Sequence, residues 1–174
     1  YAAIEPPTWA LLLAQSCRSI GFKVNIIDAN AENLSNEEVL TRINKLKPKI
    51  ICLVVYGQNV NAGTTNMRGA VDISNYLKSN QKHSLIAFIG SHVQALPIET
   101  LKKEKSIDIV FTNEGVYALR NLLKLDDFSP INLKDIRGIA YRDGIEIKIN
   151  LPEKVVPTER MDIDLPGYAW DLLP

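Results

Sequence analysis

Apolar residues recur along this chain in two rhythms, one helical and one extended. In "TWALLLAQSCRSIGF" (8–22), Trp9, Leu12, Leu13, Ser16, Cys17 and Ile20 return at helical spacing. Gly21 then supplies a residue free to take the positive φ of a helix end, so a first helix is predicted. "KVNIIDA" (23–29) follows as a short β-branched strand. "SNEE" (35–38) has the Ser-x-x-Glu form that satisfies two free N–H groups at a helix start. The second helix it opens carries Val39, Ile43 and Leu46 inward and stops before Pro48.

"IICLVVYG" (50–57) is apolar on both faces, as an inner parallel strand covered by helices would be, and "LIAFIG" (85–90) and "IDIVFT" (107–112) repeat the pattern. Helices are predicted between them, at about 65–79 and 97–105, and "NEGVYALRNLL" (113–123) starts another with Val116, Leu119 and Leu123 on one face. Strands alternating with helices specify a doubly wound parallel α/β sheet with right-handed crossovers. These elements define a first region, residues 1–125.

Beyond it the rhythm changes. "GIAYRDGIEIKIN" (138–150) turns at Asp143-Gly144, and Ile145, Ile147 and Ile149 alternate with Glu146 and Lys148. This predicts a half-exposed β-hairpin appendage over residues 126–151. Residues 152–174 are rich in Pro, Asp and Leu without a clear period and read as an extended strap or linker toward a further domain. A doubly wound domain usually begins with a strand, whereas "YAAIEPPTWALL" reads as a loop entering a helix. Either a first strand lies upstream, the favoured expectation, or the sheet is a four-stranded variant.

Composition narrows the function. The chain has 20 basic and 20 acidic residues, evenly mixed, so the electrostatic footprint of a nucleic-acid binder is missing. Its longest apolar runs fall far short of the roughly 20 residues a membrane-spanning helix needs, and the expectation is a soluble, cytoplasmic protein with no membrane partner. Cys17 and Cys52 are separate thiols in apolar contexts, without metal-ligand spacing. His83, in the polar run "SNQKHS", reads as solvated surface.

In an open parallel sheet, ligands bind beyond the carboxyl ends of the strands. Here those ends are "YGQNVNAGTTN", "GSHVQALP" and "TNEGVYAL", with "EPPT" before the first helix. They are rich in small residues and neutral amides, which let backbone approach a large ligand and bond to its rim. No G-x-x-x-x-G-K-[ST], no G-x-G-x-x-G after a strand and no G-x-S-x-G is present. No catalytic and no metal-ligating residue is predicted, and a binding module is the reading physics favours. Each of these glycines and asparagines, taken singly, is equally compatible with loop punctuation, and Glu114 with a favourable place at a helix N-terminus.

The segments "PPTWALLLAQSCRSIGFKVNIIDANAENLSNEEV", "FIGSHVQALPIETL", "IDIVFTNEGVYALRNLL", "IRGIAYRDG" and "DLPGYAWDLLP", taken in order, resemble the N-terminal cobalamin-binding domain of cobalamin-dependent radical SAM enzymes. The resemblance implies a flavodoxin-like, Rossmann-like domain holding cobalamin over its strand ends. It also implies a downstream radical SAM barrel, absent from this chain, that carries a [4Fe–4S] cluster and S-adenosylmethionine and performs methyl transfer or cyclase-like chemistry. By resemblance the corrinoid would be bordered by Tyr56, Gly57, Gln58, Asn59, Gly90, Ser91, His92, Thr112, Asn113, Glu114 and Gly115. Other cobalamin domains carry D-x-H-x-x-G, whose His ligates cobalt. That sequence is absent, "EPPTWALL" occupies the corresponding loop, and His92 is expected to hydrogen-bond at the pocket edge and not to ligate cobalt. The alternative is a non-catalytic Rossmann-like interaction module that does not retain cobalamin.

Overall fold

The computed structural model describes residues 5–57, 60–81 and 84–174, with Val60 and Asn61 described by their backbone alone. The expectations for residues 1–4, Gln58, Asn59 and His83 lie outside the described residues. The runs that are apolar on both faces form a parallel core of three strands, β1 (Ile50–Val54), β2 (Leu85–Ile89) and β3 (Ile109–Phe111). The alternating segment supplies β4 (Ile139–Asp143) and β5 (Glu146–Ile149), each antiparallel to its predecessor. The hairpin therefore continues the main sheet, and the strand order is simply β1-β2-β3-β4-β5.

Helices cover both faces, as strands apolar on both sides require. On one face, Ile50, Cys52 and Val54 of β1 meet Leu13 and Cys17 of α1 (Thr8–Arg18) and Val116, Leu119 and Leu122 of α6 (Val116–Leu123). On the other, Ile51 and Leu53 meet α2 (Asn36–Leu46), α3 (Val60–Asn80), α4 (Ser91–Ala95) and α5 (Pro97–Lys103). The start of α2 is fixed by the predicted capping box, with Glu38 N–H donating to Ser35 Oγ at 3.3 Å and Ser35 N–H to Glu38 Oε2 at 2.8 Å. A short α7 (Pro130–Leu133) leads into the hairpin.

Two expectations are modified and a third gains detail. "KVNIIDA" forms no strand, and residues 22–28 are irregular. Its side chains still behave as those of a strand would, because Val24 packs with the first layer and Ile27 with the second. β-Branched composition fits a pleated surface, but a ladder also needs a hydrogen-bonded neighbour, and β1 pairs only with β2 among the described residues. α3 begins at Val60, before the predicted 65, so packing overrides the loop-like composition of "NVNAGTTN".

The third detail concerns residues 152–174, expected as an extended strap or linker, which lie along the domain as a docked strap with turns at Thr158–Arg160, α8 (Met161–Asp164) and Trp170–Leu172. Its main pin is Asp164, only 3% exposed. This carboxylate accepts hydrogen bonds from Arg120 at 2.6 Å, Tyr117 at 2.6 Å and Arg160 at 3.0 and 3.2 Å. Further along, Ala169 N–H donates to Leu11 O, and Arg18 holds both oxygens of Asp171 at 2.8 and 2.9 Å. Most of these bonds come from residues distant in the chain, which leaves no periodic trace in the sequence.

Candidate functional site

The carboxyl ends of β1, β2 and β3 and the N-terminus of α1 converge on a cleft of about 350 Å³ lined by Thr8, Trp9, Tyr56, Gln94 and Glu114. Its wall is a connected polar network on an aromatic base. Gln94 Nε2 donates to the Tyr56 hydroxyl and to the Asn113 carbonyl, both at 2.7 Å. Both amide hydrogens are thus committed, and a phenol that accepts from Gln94 keeps its own hydrogen free to donate. Burial raises the Tyr56 pKa above the ordinary tyrosine value, so at neutral pH it remains a donor. Trp9 stands edge-on to Tyr56, with ring centres 6.2 Å apart, and its indole N–H donates to the Glu114 carbonyl at 3.1 Å.

Glu114 joins three elements. Its carbonyl holds Trp9 of α1, and its carboxylate accepts from Val156 N–H of the strap at 2.6 Å. Asn113 beside it accepts from Gly115 N–H and donates to Glu153 O. Gly115 takes φ +80°, a conformation that favours glycine, and its corner packs against the Ile89 side chain of β2.

The other glycines serve close backbone approach. A Cβ on Gly90 would meet Val55 O at 2.0 Å, and one on Gly57 would meet Ala62 Cβ at 2.5 Å. These contacts press the β1–α3 loop, the first turns of α3 and the β2–α4 turn together. On that flank Ser91 Oγ would lie 2.5 Å from a Cβ on Gly63, and His92 Nδ1 is 3.2 Å from Thr64 Oγ1. His92 is half-buried, faces α3 and is not among the cleft-lining residues. Among the described residues no group of His, Cys, Asp and Glu is placed to hold a metal ion.

Of the predicted site residues, Tyr56 and Glu114 line the cleft and Asn113 supports it directly. Gly57, Gly90, Ser91, His92 and Gly115 shape its surroundings, and Thr112 is held through its backbone, its N–H donating to Gly138 O. Gln58 and Asn59 lie outside the described residues. Thr8, Trp9 and Gln94 were not predicted. Gln94 lies in the strand-end segment "GSHVQALP", and Trp9 directly follows "EPPT", so position was their only signal; helical spacing assigned Trp9 to the core.

The donor set suits a large, mostly neutral ligand. Trp9 and Tyr56 give the cleft its apolar surface, and the Tyr56 and Thr8 hydroxyls add polar groups to it.

Comparison with known proteins agrees. The family model described as "B12 binding domain" matches residues 1–123. An uncharacterized methyltransferase of Pyrococcus horikoshii is 28% identical over 170 residues, covering 97% of this chain and 34% of that protein. An anaerobic magnesium-protoporphyrin IX monomethyl ester cyclase of Synechocystis is 23% identical over 170 residues, covering 97% of this chain and 32% of that protein. The chain thus spans about a third of the length of the curated relatives it matches.

Proposed function

The chain belongs to the B12-binding domain family, and from that premise we propose that it is the corrinoid-holding domain of a longer radical SAM enzyme with methyl-transfer or cyclase-like chemistry. The observation that carries the reading is the strand-end cleft, where Trp9, Tyr56 and Gln94 offer two aromatic faces and neutral polar groups to a ligand too large to be enclosed. Cobalamin bound there would supply a cobalt-centred carrier for a one-carbon group or an electron. The iron–sulfur cluster and S-adenosylmethionine belong, in this reading, to another part of the polypeptide.

The roles of the chain's own residues follow from their contacts. Tyr56 would donate its hydroxyl hydrogen to the rim of the ligand, with Gln94 fixing that hydroxyl from behind. Trp9, held by Glu114, would cover the apolar surface and keep water from it. His92, beside Thr64 Oγ1, would border the ligand by hydrogen bonding and would not itself ligate cobalt. The proposal includes the expected organisation: a corrinoid-binding region over 1–125 completed by a first strand upstream, the hairpin over 126–151, and a connection toward the next domain over 152–174.

Reconstitution with hydroxocobalamin tests the reading. A polypeptide extended upstream is incubated with the cofactor and passed over gel filtration while its visible spectrum is recorded. Corrin absorbance co-eluting with the protein is expected, together with quenched Trp9 fluorescence that disappears in Trp9→Phe. His92→Ala should leave the spectrum of the bound cofactor unchanged. A folded protein that retains no corrin would leave an interaction module that binds no cobalamin.

A further inference from the structure

The strap packs Val156 and Leu165 against the first core layer and pins Asp164 and Ala169 inside, while several of its largest apolar residues face outward. Asp164 and Ala169 are 3% and 0% exposed, whereas Met161, Ile163, Tyr168 and Trp170 are 48%, 56%, 45% and 52% exposed. A segment held only by burial would do the reverse. The contrast is sharpest at 168–170, where Ala169 is inside and its two neighbours stack on each other in solvent, with ring centres 5.4 Å apart. The Leu11 carbonyl and Arg18 grip residues 169 and 171, so this aromatic pair is held on fixed backbone.

We propose that Tyr168 and Trp170 are the anchor by which a second folded domain of the same polypeptide packs against this one. The inference rests on the reading of the chain as one part of a longer protein, since relatives matched over 97% of it are about three times as long. Rigid, exposed Trp and Tyr are the side chains that dominate contact energies at interfaces, because they bring large area at little entropic cost. Charge selects among occupants. Arg160 and Arg18 are engaged by Asp164 and Asp171, and the exposed carboxylates of Glu159 and Asp162 stand in the same strap. A symmetric contact between two copies would set these acids against each other, and an anionic membrane surface would repel them. The surface therefore fits an apolar pocket rimmed by Lys or Arg.

Hydroxyl-radical footprinting of the full-length polypeptide, read by mass spectrometry, tests this without reference to the cofactor. Tyr168 and Trp170 are expected to label at least tenfold more slowly than in the unfolded protein, at every protein concentration. The double variant Tyr168→Ala/Trp170→Ala should keep a cooperative melt and unchanged corrin retention while the radius of gyration in small-angle scattering increases. Labelling at the rate of exposed side chains overturns the proposal. So does protection that appears only as protein concentration rises, which would assign the surface to a second copy, or only on adding phosphatidylcholine/phosphatidylglycerol vesicles, which would assign it to a membrane. A protein that binds no cobalamin but protects both rings would retain this inference and lose the functional one.

Discussion

The two edges of the sheet are built on different plans. β5 alternates Glu146 and Lys148 with Ile147 and Ile149, its charged pair lies in contact, and it follows a tight turn. Charge and brevity are how proteins keep an edge from recruiting another strand. β1 is "IICLV", with no charge, and all five residues are half-buried although they feed the two core layers. Cys52 shows the mismatch in one residue: burial drives its thiol pKa up to about 12, yet the residue as a whole is only half-buried. One edge ends the sheet. The other has the composition of an interior strand, which is why a further strand beside it forms part of the proposal.

The largest expected effect tests that asymmetry directly. Buried unpaired backbone groups cost about 1–3 kcal/mol each, and about 1 kcal/mol moves the melting temperature of a domain this size by roughly 2–4 °C. A polypeptide extended upstream by one apolar strand should therefore melt roughly 10 °C or more above residues 1–174 alone, and the shorter form should aggregate. Equal melting temperatures, with a monomeric short form, would place β1 and β5 in the same class.

Paired truncations give the next effect. In residues 1–174, Leu53→Ala on β1 should cost about 1–2 kcal/mol by urea denaturation, below the full-burial range because the strand is half-open. Ile149→Ala on β5 should stay within about 0.5 kcal/mol. In the extended polypeptide the Leu53 cost should rise to about 3 kcal/mol while that of Ile149 stays unchanged. If both rise together, closure of the β1 edge is not the cause.

Acid separates both edges from the strap. Hydrogen bonds from Arg160, Tyr117 and Arg120 hold the Asp164 pKa far below the usual carboxylate range. A carboxylate lowered in the folded state contributes stability that is complete above its unfolded pKa of about 3.9 and is lost only as pH falls through the folded value. Strap docking should therefore persist at pH 4, read as an unchanged Trp170 emission. The exposed Glu146–Lys148 pair on β5 should add nothing measurable at any pH. In Asp164→Asn the strap should dock more weakly at neutral pH already, with no further loss at this position as pH falls.

The smallest effect is chemical. Both thiols are raised to about 12 by burial, so neither should react appreciably with a thiol reagent at pH 8 in the native protein. Residual reaction should be faster at Cys52, half-buried on the edge strand, than at Cys17 buried inside α1. An upstream strand should abolish the difference.

Much of this architecture was legible because periodicity reports burial. The inner strands, the amphipathic helices, the capping box at Ser35 and the turn at Asp143-Gly144 each carry their cause within a few residues. What escaped the pattern depends on distant partners. "KVNIIDA" has strand composition, but pairing is a property of two segments. Trp9 keeps helical spacing and so resembles a core residue, although its indole reaches Glu114, 105 positions away. Gln94 has no motif at all; its role exists only where Tyr56 and Asn113 arrive beside it.

Strand order that follows chain order also sets a timetable. Each strand pairs with the one made just before it, so the sheet can grow vectorially as the chain is synthesised, with one helical crossover or hairpin to close at each step. α1 is the exception. Besides its core packing against β1 and α6, it is held by Glu114, Ala169 and Asp171, and the last two follow every described strand in the chain. α1 precedes every strand of the described sheet yet is fixed only after the strap arrives, and Trp9 reaches its place only after the strand-end loops around the cleft already exist. In pulse-labelling hydrogen exchange, amides of β1–β3 should be protected before those of α1.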